Sequence, residues 1–421
     1  MILEKLKFNR FTRNFLKLFS ATLLTQIVPL FLSPLLTRLY SPEEFGLYSL
    51  YIAIVSLLIV YATGRYEFAI STVKTQRESE SLLQLVIALS FIISIILLFL
   101  VFFMGEYLVV IFGLKIRDYL YYIPLTIFSL GIMQGINYYL NKQKDFSSIS
   151  KSKMIQSFSN GTSSVGFGYV GFQSQGLIWA NIVGIVFANI YTMKRRDIWS
   201  VFNVRRYNFK EIYGSAIRHK NYPLWNSTSA FFDTLALQAP ILILSKFFVD
   251  SIVGLYSLTV RVVALPITVI SMAVAQVYLS ELSEKENNGE SIEGIVKKTT
   301  IILAVVGLLP VVILFIFGAD LFGFIFGEQW REAGELARIL SLAYYAKFIV
   351  SPLSMVFFVK KAIKELSKIQ FIRACSTACT LIFAATYFDS LYIVVAIYSI
   401  HEIIFYLVYW LSIKKISKVK N

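Results

Sequence analysis

A train of long apolar runs dominates this chain, and it leaves few folds open. Each run is about 18 to 25 residues, the length that crosses about 30 Å of hydrocarbon at ~1.5 Å of helical rise per residue. In lipid the backbone must satisfy its own hydrogen bonds, so such runs fold as membrane-spanning helices. About twelve can be read: 16–37, 46–63, 82–104, 119–140, 154–172 and 177–193, then 226–245, 254–279, 299–317, 336–358, 371–387 and 391–413. The fifth is the most polar, but Ser157, Gly161, Ser164 and Gly168 recur along it at the small-xxx-small spacing that lets helix backbones approach. The sequence therefore predicts an all-α integral membrane protein.

The composition agrees. Only 15% of the residues are charged and 57% are hydrophobic, whereas soluble domains carry about 25% charge. The formal charge of +15 could point to nucleic acid, but the basic residues fall in short clusters between apolar runs and form no basic module. No nucleic-acid partner is expected.

Those clusters set the orientation. Most of the 40 Lys and Arg residues lie in every second connection, including 194–223, Arg373 at the start of the eleventh run, and the C-terminal tail. By the positive-inside rule these are cytoplasmic, as are both termini. Arg38, Lys115, Arg117, Lys246, Arg331 and Arg338 fall outside, and Arg261 and Lys347 fall within runs. The basic N-terminus lacks a small-residue cleavage site, so no removable signal peptide is expected. Phe8, Phe11, Phe15 and Leu18 share one helical face and predict an interfacial helix. Cys375 and Cys379, one helical turn apart, read as small packing residues rather than a metal or disulfide framework.

The chain divides into halves: an N-terminal six-helix lobe over 1–193, a basic cytoplasmic linker over 194–223 and a C-terminal six-helix lobe over 224–421. Gly46-Leu47-Tyr48-Ser49-Leu50 recurs as Gly254-Leu255-Tyr256-Ser257-Leu258. Ile111-Phe112-Gly113 recurs as Ile325-Phe326-Gly327, again about half a chain later. Each pair lies on one side of the membrane, which predicts two bundles related by a pseudo-two-fold parallel repeat about the membrane normal.

A family resemblance enters here. The run from Ser33-Pro34-Leu35-Leu36-Thr37-Arg38-Leu39-Tyr40 through Ser41-Pro42-Glu43-Glu44-Phe45-Gly46-Leu47-Tyr48, followed by Gly64-Arg65-Tyr66-Glu67-Phe68-Ala69-Ile70, resembles the opening of the Wzx-type polysaccharide repeat-unit flippases. These belong to the multidrug/oligosaccharidyl-lipid/polysaccharide exporter superfamily. Phe326-Gly327 with Trp330 and Ala333 is similar to the family's second half. The resemblance implies alternating-access export of undecaprenyl-diphosphate-linked oligosaccharide across the bacterial inner membrane, for O-antigen or other surface polysaccharide. It also implies membrane lipids, a polysaccharide polymerase and chain-length proteins as partners.

The residues supply a physical case beside it. A diphosphate-linked glycan needs a wet, cation-lined path. Arg261 lies about 10 Å, and Lys347 about 16 Å, from the outer ends of their helices by the helical rise. Lys347 lies on a polar stripe with Tyr344, Ser351 and Ser354; Gln26 and Asn137 mark polar faces on the first and fourth helices. Arg261, Lys347, Arg38, Gln26 and Asn137 are the candidate substrate contacts. Snorkelling cations and amides that join helices are the bland alternative. Gly64, Arg65 and Glu67 are candidate gating residues at the inner end of the second helix; two residues apart on a helix, Arg65 and Glu67 are not expected to face each other. No P-loop occurs, so no cofactor is expected, and the resemblance suggests coupling to an ion gradient, of protons. Asp233, His401 and Glu402 are the embedded titratable candidates for that role.

Three other readings compete with this one. A multidrug exporter of the same superfamily would favour an acidic, aromatic cavity, whereas this one leans basic. A membrane polymerase or ligase would be an enzyme and needs a sizeable outer loop, but the longest here runs over about 318–335. A purely structural protein leaves the embedded charges without purpose. The sequence therefore predicts a transporter and no enzyme.

Overall fold

The computed structural model describes residues 28–201, 208–360 and 362–418. Gln26 and the expected interfacial helix lie outside them. No strand occurs among the described residues. Among the described residues ten helices are long and apolar enough to cross a membrane. Two more complete the sequence-based count. Val28–Leu39 (α1) is the described part of the first run, and the Ser-rich fifth run falls, all but its last two residues, on a 25-residue helix, Phe146–Val170.

The chain packs as two compact units. One comprises the residues up to Tyr40 together with Leu50–Thr234, the other Ser41–Ser49 together with Leu235 onward. After α1 come α2 (Pro42–Ala62), α3 (Tyr66–Thr72), α4 (Gln76–Phe112), the single turn α5 (Arg117–Leu120), α6 (Ile123–Lys142), α7 (Phe146–Val170) and α8 (Gln173–Met193). Two short helices follow, α9 (Arg196–Val201) and α10 (Phe209–Arg218). The rest are α11 (Ser227–Phe247), α12 (Asp250–Asn287), α13 (Glu293–Phe326), α14 (Arg331–Val350), α15 (Met355–Val359), α16 (Ile363–Tyr387) and α17 (Leu391–Ser417). The first turns of α2 thus pack with the second unit, and the division falls inside α11 rather than in the basic connection.

In the first unit the small residues of α7 do what their spacing suggests. A Cβ added at Gly161 would stand 2.3 Å from Leu32 Cδ1, and one at Gly168 2.9 Å from Tyr40 Cε2. Tyr40 Oη donates to the Ser164 carbonyl at 2.7 Å across the same seam. Ser148, Ser150, Ser152, Ser157 and Ser164 of this helix are buried. The described part of 194–223 is docked: Ile198, Val201 and Ile212 join a core with Leu82, Leu83 and Ile136. Arg218 Nε and His219 Nε2 reach Glu78 at 3.1 and 3.3 Å.

The second unit contains the point where the repeated Gly-Leu-Tyr-Ser-Leu copies meet. A Cβ on Gly46 would lie 1.9 Å from the Asp250 carbonyl oxygen, and one on Gly254 1.7 Å from that of Pro42. Each glycine faces the residue four before the other, the reciprocal contact that a local two-fold axis generates. The second landmark is repeated in conformation. Gly113 (φ 99°, ψ 156°) closes α4 and Gly327 (φ 105°, ψ 154°) closes α13, positive-φ positions that favour glycine. In each copy an arginine just beyond pairs with an acid 11 residues earlier, Arg117 with Glu106 and Arg331 with Asp320. α13 runs on to Phe326, so the outer loop expected over 318–335 shortens to the turn before α14.

Cys375 and Cys379 correct their sequence reading: both are free thiols on the exposed face of α16, not packing residues. Their small size fits a lipid-facing position as easily as a packed one, and spacing alone does not tell the two apart.

Candidate functional site

The second unit buries a group of charges that apolar helices would otherwise exclude. Glu402 on α17 is 4% exposed, and Arg373 on α16 donates from Nη2 to its Oε2 at 2.7 Å. Thr377 Oγ1 donates to the other oxygen at 3.3 Å. The Arg373 guanidinium also lies over the rings of Phe405 and Tyr406, at 5.5 and 5.2 Å. His401, beside Glu402, places Nε2 2.9 Å from Ser376 Oγ and Nδ1 3.6 Å from Glu402 Oε1. The phenols of Tyr344, Tyr398 and Tyr406 are buried around the pair, close enough to feel its charge. Glu402 neutralises Arg373, as a buried cation requires.

Lys347 adds a second cation. Half-buried on α14, it feels both Arg373 and Glu402 and holds its Nζ 5.3 Å from the Tyr344 ring centroid. Among the described residues no carboxylate stands within ion-pair distance of it. The cluster of Arg373, Lys347 and Glu402 therefore carries one positive charge in excess. The polar stripe read on this helix holds only to Ser351. α14 stops at Val350 and a tight turn follows over Pro352–Ser354. Pro352 has no N–H for the helical ladder and crowds the carbonyl four residues before it. Lys347 thus sits one turn before a helix break.

An apolar cavity of about 240 Å3 adjoins this cluster. Val263 and Pro266 of α12, Val306 and Pro310 of α13, and Tyr344 and Phe348 of α14 help line it. Tyr344 thus both lines the cavity and lies against the ammonium of Lys347. Cation and apolar space meet on one helix.

The remaining candidates are dispersed. Arg261 is half-buried on α12, with its guanidinium 6.0 Å from the Phe45 ring centroid; Phe45 packs edge-on to Trp330 at 5.1 Å. Arg38 is exposed at the end of α1, and Asp233 lies on the exposed face of α11, within a stretch, Ala230–Phe247, apolar enough to span. Asn137 on α6 has a buried Oδ1 without a hydrogen bond. Gly64, Arg65 and Glu67 lie where α2 gives way to α3. Contrary to the helical-spacing argument, Arg65 and Glu67 do meet, Nη1 to Oε1, at 3.8 Å. The reason is local: Gly64 and Arg65 both have φ 57°, so the chain is not helical between them and the helical spacing does not apply.

Sequence reading missed Arg373. It counted this arginine with an inner loop because the eleventh run was started at 371; the helix begins at Ile363, which places Arg373 about 15 Å along it. A basic residue followed by Thr377 on one face, with Glu402 in the next run, was the available signal.

The matching proteins agree with this architecture. Residues 35–335 match a family described as polysaccharide biosynthesis protein. The chain belongs to that family. Its fold is similar to that of the lipid II flippase MurJ in an inward closed conformation, at TM-score 0.75 and 17% identity over 94% of this chain and 87% of that one. It is also similar to an inward-facing multidrug resistance MATE family transporter of the MOP superfamily, at TM-score 0.61 and 13% identity over 96% of each chain. A MOP superfamily transporter from Pyrococcus furiosus follows at TM-score 0.58 and 14% identity, over 97% of this chain and 96% of that one. No curated protein sequence matches. At such identities the likeness is one of fold. It places the chain among the folds that the Ser33–Ile70 motif suggests, and the chain is a multi-pass membrane protein.

Proposed function

We propose that this member of the polysaccharide biosynthesis family is a flippase. It moves undecaprenyl-diphosphate-linked oligosaccharide repeat units across the bacterial inner membrane by alternating access, for O-antigen or another surface polysaccharide. The observation that carries the reading is Lys347: a half-buried ammonium with no carboxylate partner among the described residues, against Tyr344, which lines an apolar cavity. A lipid-linked diphosphate needs both features, an apolar space for its chain and an uncompensated cation for its head. Arg373 shares that role when its contact with Glu402 loosens, and Arg261 supplies a further cation on α12. Arg38, Asn137 and Gln26 are secondary candidates for contacts to the glycan. A cationic excess disfavours the drug-exporter reading, because cationic drugs would be repelled.

Export of lipid-linked glycan in a strain lacking its own flippase tests the reading. Lys347→Ala and Arg261→Ala should each lower export about 10- to 100-fold, the loss expected for one charge-assisted contact, with membrane insertion unchanged. Lys347→Arg and Arg261→Lys should keep part of the activity, since charge matters more than fork geometry in a wet path. Full export by both alanine variants, or extrusion of a cationic dye that depends on neither residue, would overturn it.

A further inference from the structure

Glu67 is the most deeply buried carboxylate among the described residues, at 1% exposure, and the cation site of the other unit makes no use of it. Its surroundings satisfy it poorly. Arg65 reaches Oε1 only at 3.8 Å, Thr63 stands beside it, and both Oε2 and Arg65 Nε are buried with no hydrogen-bond partner. Arg65 instead leans over the Phe68 ring at 5.4 Å. The turn that brings these groups together holds Arg65, a non-glycine residue, in the left-handed region, the kind of backbone retained where a segment has a task beyond packing.

Among the described residues no other cation stands within ion-pair distance of Glu67. From α6 the facing titratable group is the phenol of Tyr138, which senses the charges of Glu67 and Arg65 and packs its ring at a tilt against Phe68, 4.9 Å between centroids. Lys142, farther along α6, donates to the carbonyls of Val73 and Thr75. On α4, Glu78 is held by Arg218 and His219, and Glu80 accepts from Gln76 and Tyr139. Tyr222, on the turn after α10, lies 3.3 Å from Thr72 Oγ1, and Tyr66 Oη donates to the Ala216 carbonyl at 3.1 Å. An ionised carboxylate so placed keeps one buried oxygen without a partner; protonation there removes the buried charge, which costs far more to bury than a neutral carboxyl. Burial accordingly pushes the Glu67 carboxyl above the ordinary range, against the opposing pull of its own backbone N–H, Thr63 and Arg65.

We propose that Glu67 is a proton-binding site: it takes a proton from the aqueous phase onto a carboxylate oxygen, and gives it back when Arg65 closes from 3.8 Å to a full ion pair. This rests on the reading of the chain as a transporter and supplies its coupling step within the first unit. Glu402, with Arg373 at 2.7 Å, is by contrast already fully paired.

The test uses the full chain in lipid nanodiscs and reads the infrared carbonyl stretch of protonated carboxylic acids as pH is varied. The expected result is a band that persists at mildly acidic pH, above the range of exposed carboxylates, and is absent from Glu67→Gln. Glu67→Asp should shift its midpoint, and Arg65→Gln should raise it by removing the cation that favours ionisation. In liposomes with undecaprenyl diphosphate as probe, the wild type should respond to a pH gradient and Glu67→Gln should not, at equal thermal stability. A titrating band that survives in both Glu67 variants, or no such band in the wild type, overturns the site. A band that follows Glu67 while the probe moves in no protein supports the proton site and overturns the substrate reading instead.

Discussion

Arg373 and Lys347 share one buried neighbourhood with Glu402, yet only Arg373 has the carboxylate. Removing the acid should therefore act through the arginine it leaves behind. Glu402→Gln is expected to destabilise the protein by about 3 to 5 kcal/mol, the cost of stranding one member of a buried pair. The double replacement Arg373→Met with Glu402→Leu should recover most of it, as measured by thermal unfolding in detergent. It should not recover transport if Arg373 contacts substrate. A double variant that transports normally would reduce the pair to scaffolding. The charge pair at Arg65 and Glu67 is different in kind, because its longer distance and open atoms leave it poorly satisfied in its present form.

At the level of helices, small residues and prolines decide where chain segments touch or break. Gly46 and Gly254 bring α2 and α12 into backbone contact, and a Cβ at either would fall within 1.9 Å of a carbonyl oxygen that cannot rotate away. Gly254→Ala should therefore force the helix ends apart, costing about 1 to 3 kcal/mol as overpacking does. Gly105→Ala, where nothing stands within 4 Å, should be close to neutral and serves as the control. Equal melting temperatures for the two variants would show that the contact is not needed. Pro352 acts in the opposite sense, ending α14 one turn after Lys347 and freeing backbone groups near the excess charge. Such broken helices are a common way to bring polar backbone to membrane depth.

For the whole chain, the alternation of basic connections predicts that reporter fusions at 142–153, 194–223 and the C-terminus report the cytoplasm. Fusions at 41–45 and 328–331 should report the outside. A C-terminus on the outer side would mean an odd number of spans and would sink the parallel-repeat scheme.

Span number, helical class and internal repeat were legible because hydrocarbon thickness imposes a length, and lipid imposes closed backbone hydrogen bonding, on every segment separately. Lys347 and Glu402 stood out for a related reason: a charge inside an apolar run costs energy wherever it faces. What no single run carries is which charges meet. The Arg373–Glu402 pair joins two helices, the meeting of Gly46 and Gly254 joins residues about half a chain apart, and the Arg65–Glu67 contact depends on two left-handed residues that helical spacing does not foresee. Local hydrophobicity determined how many helices cross the membrane. Only tertiary packing decided which cation would be left without an anion, because neutralisation depends on distance in space and sequence records only distance along the chain.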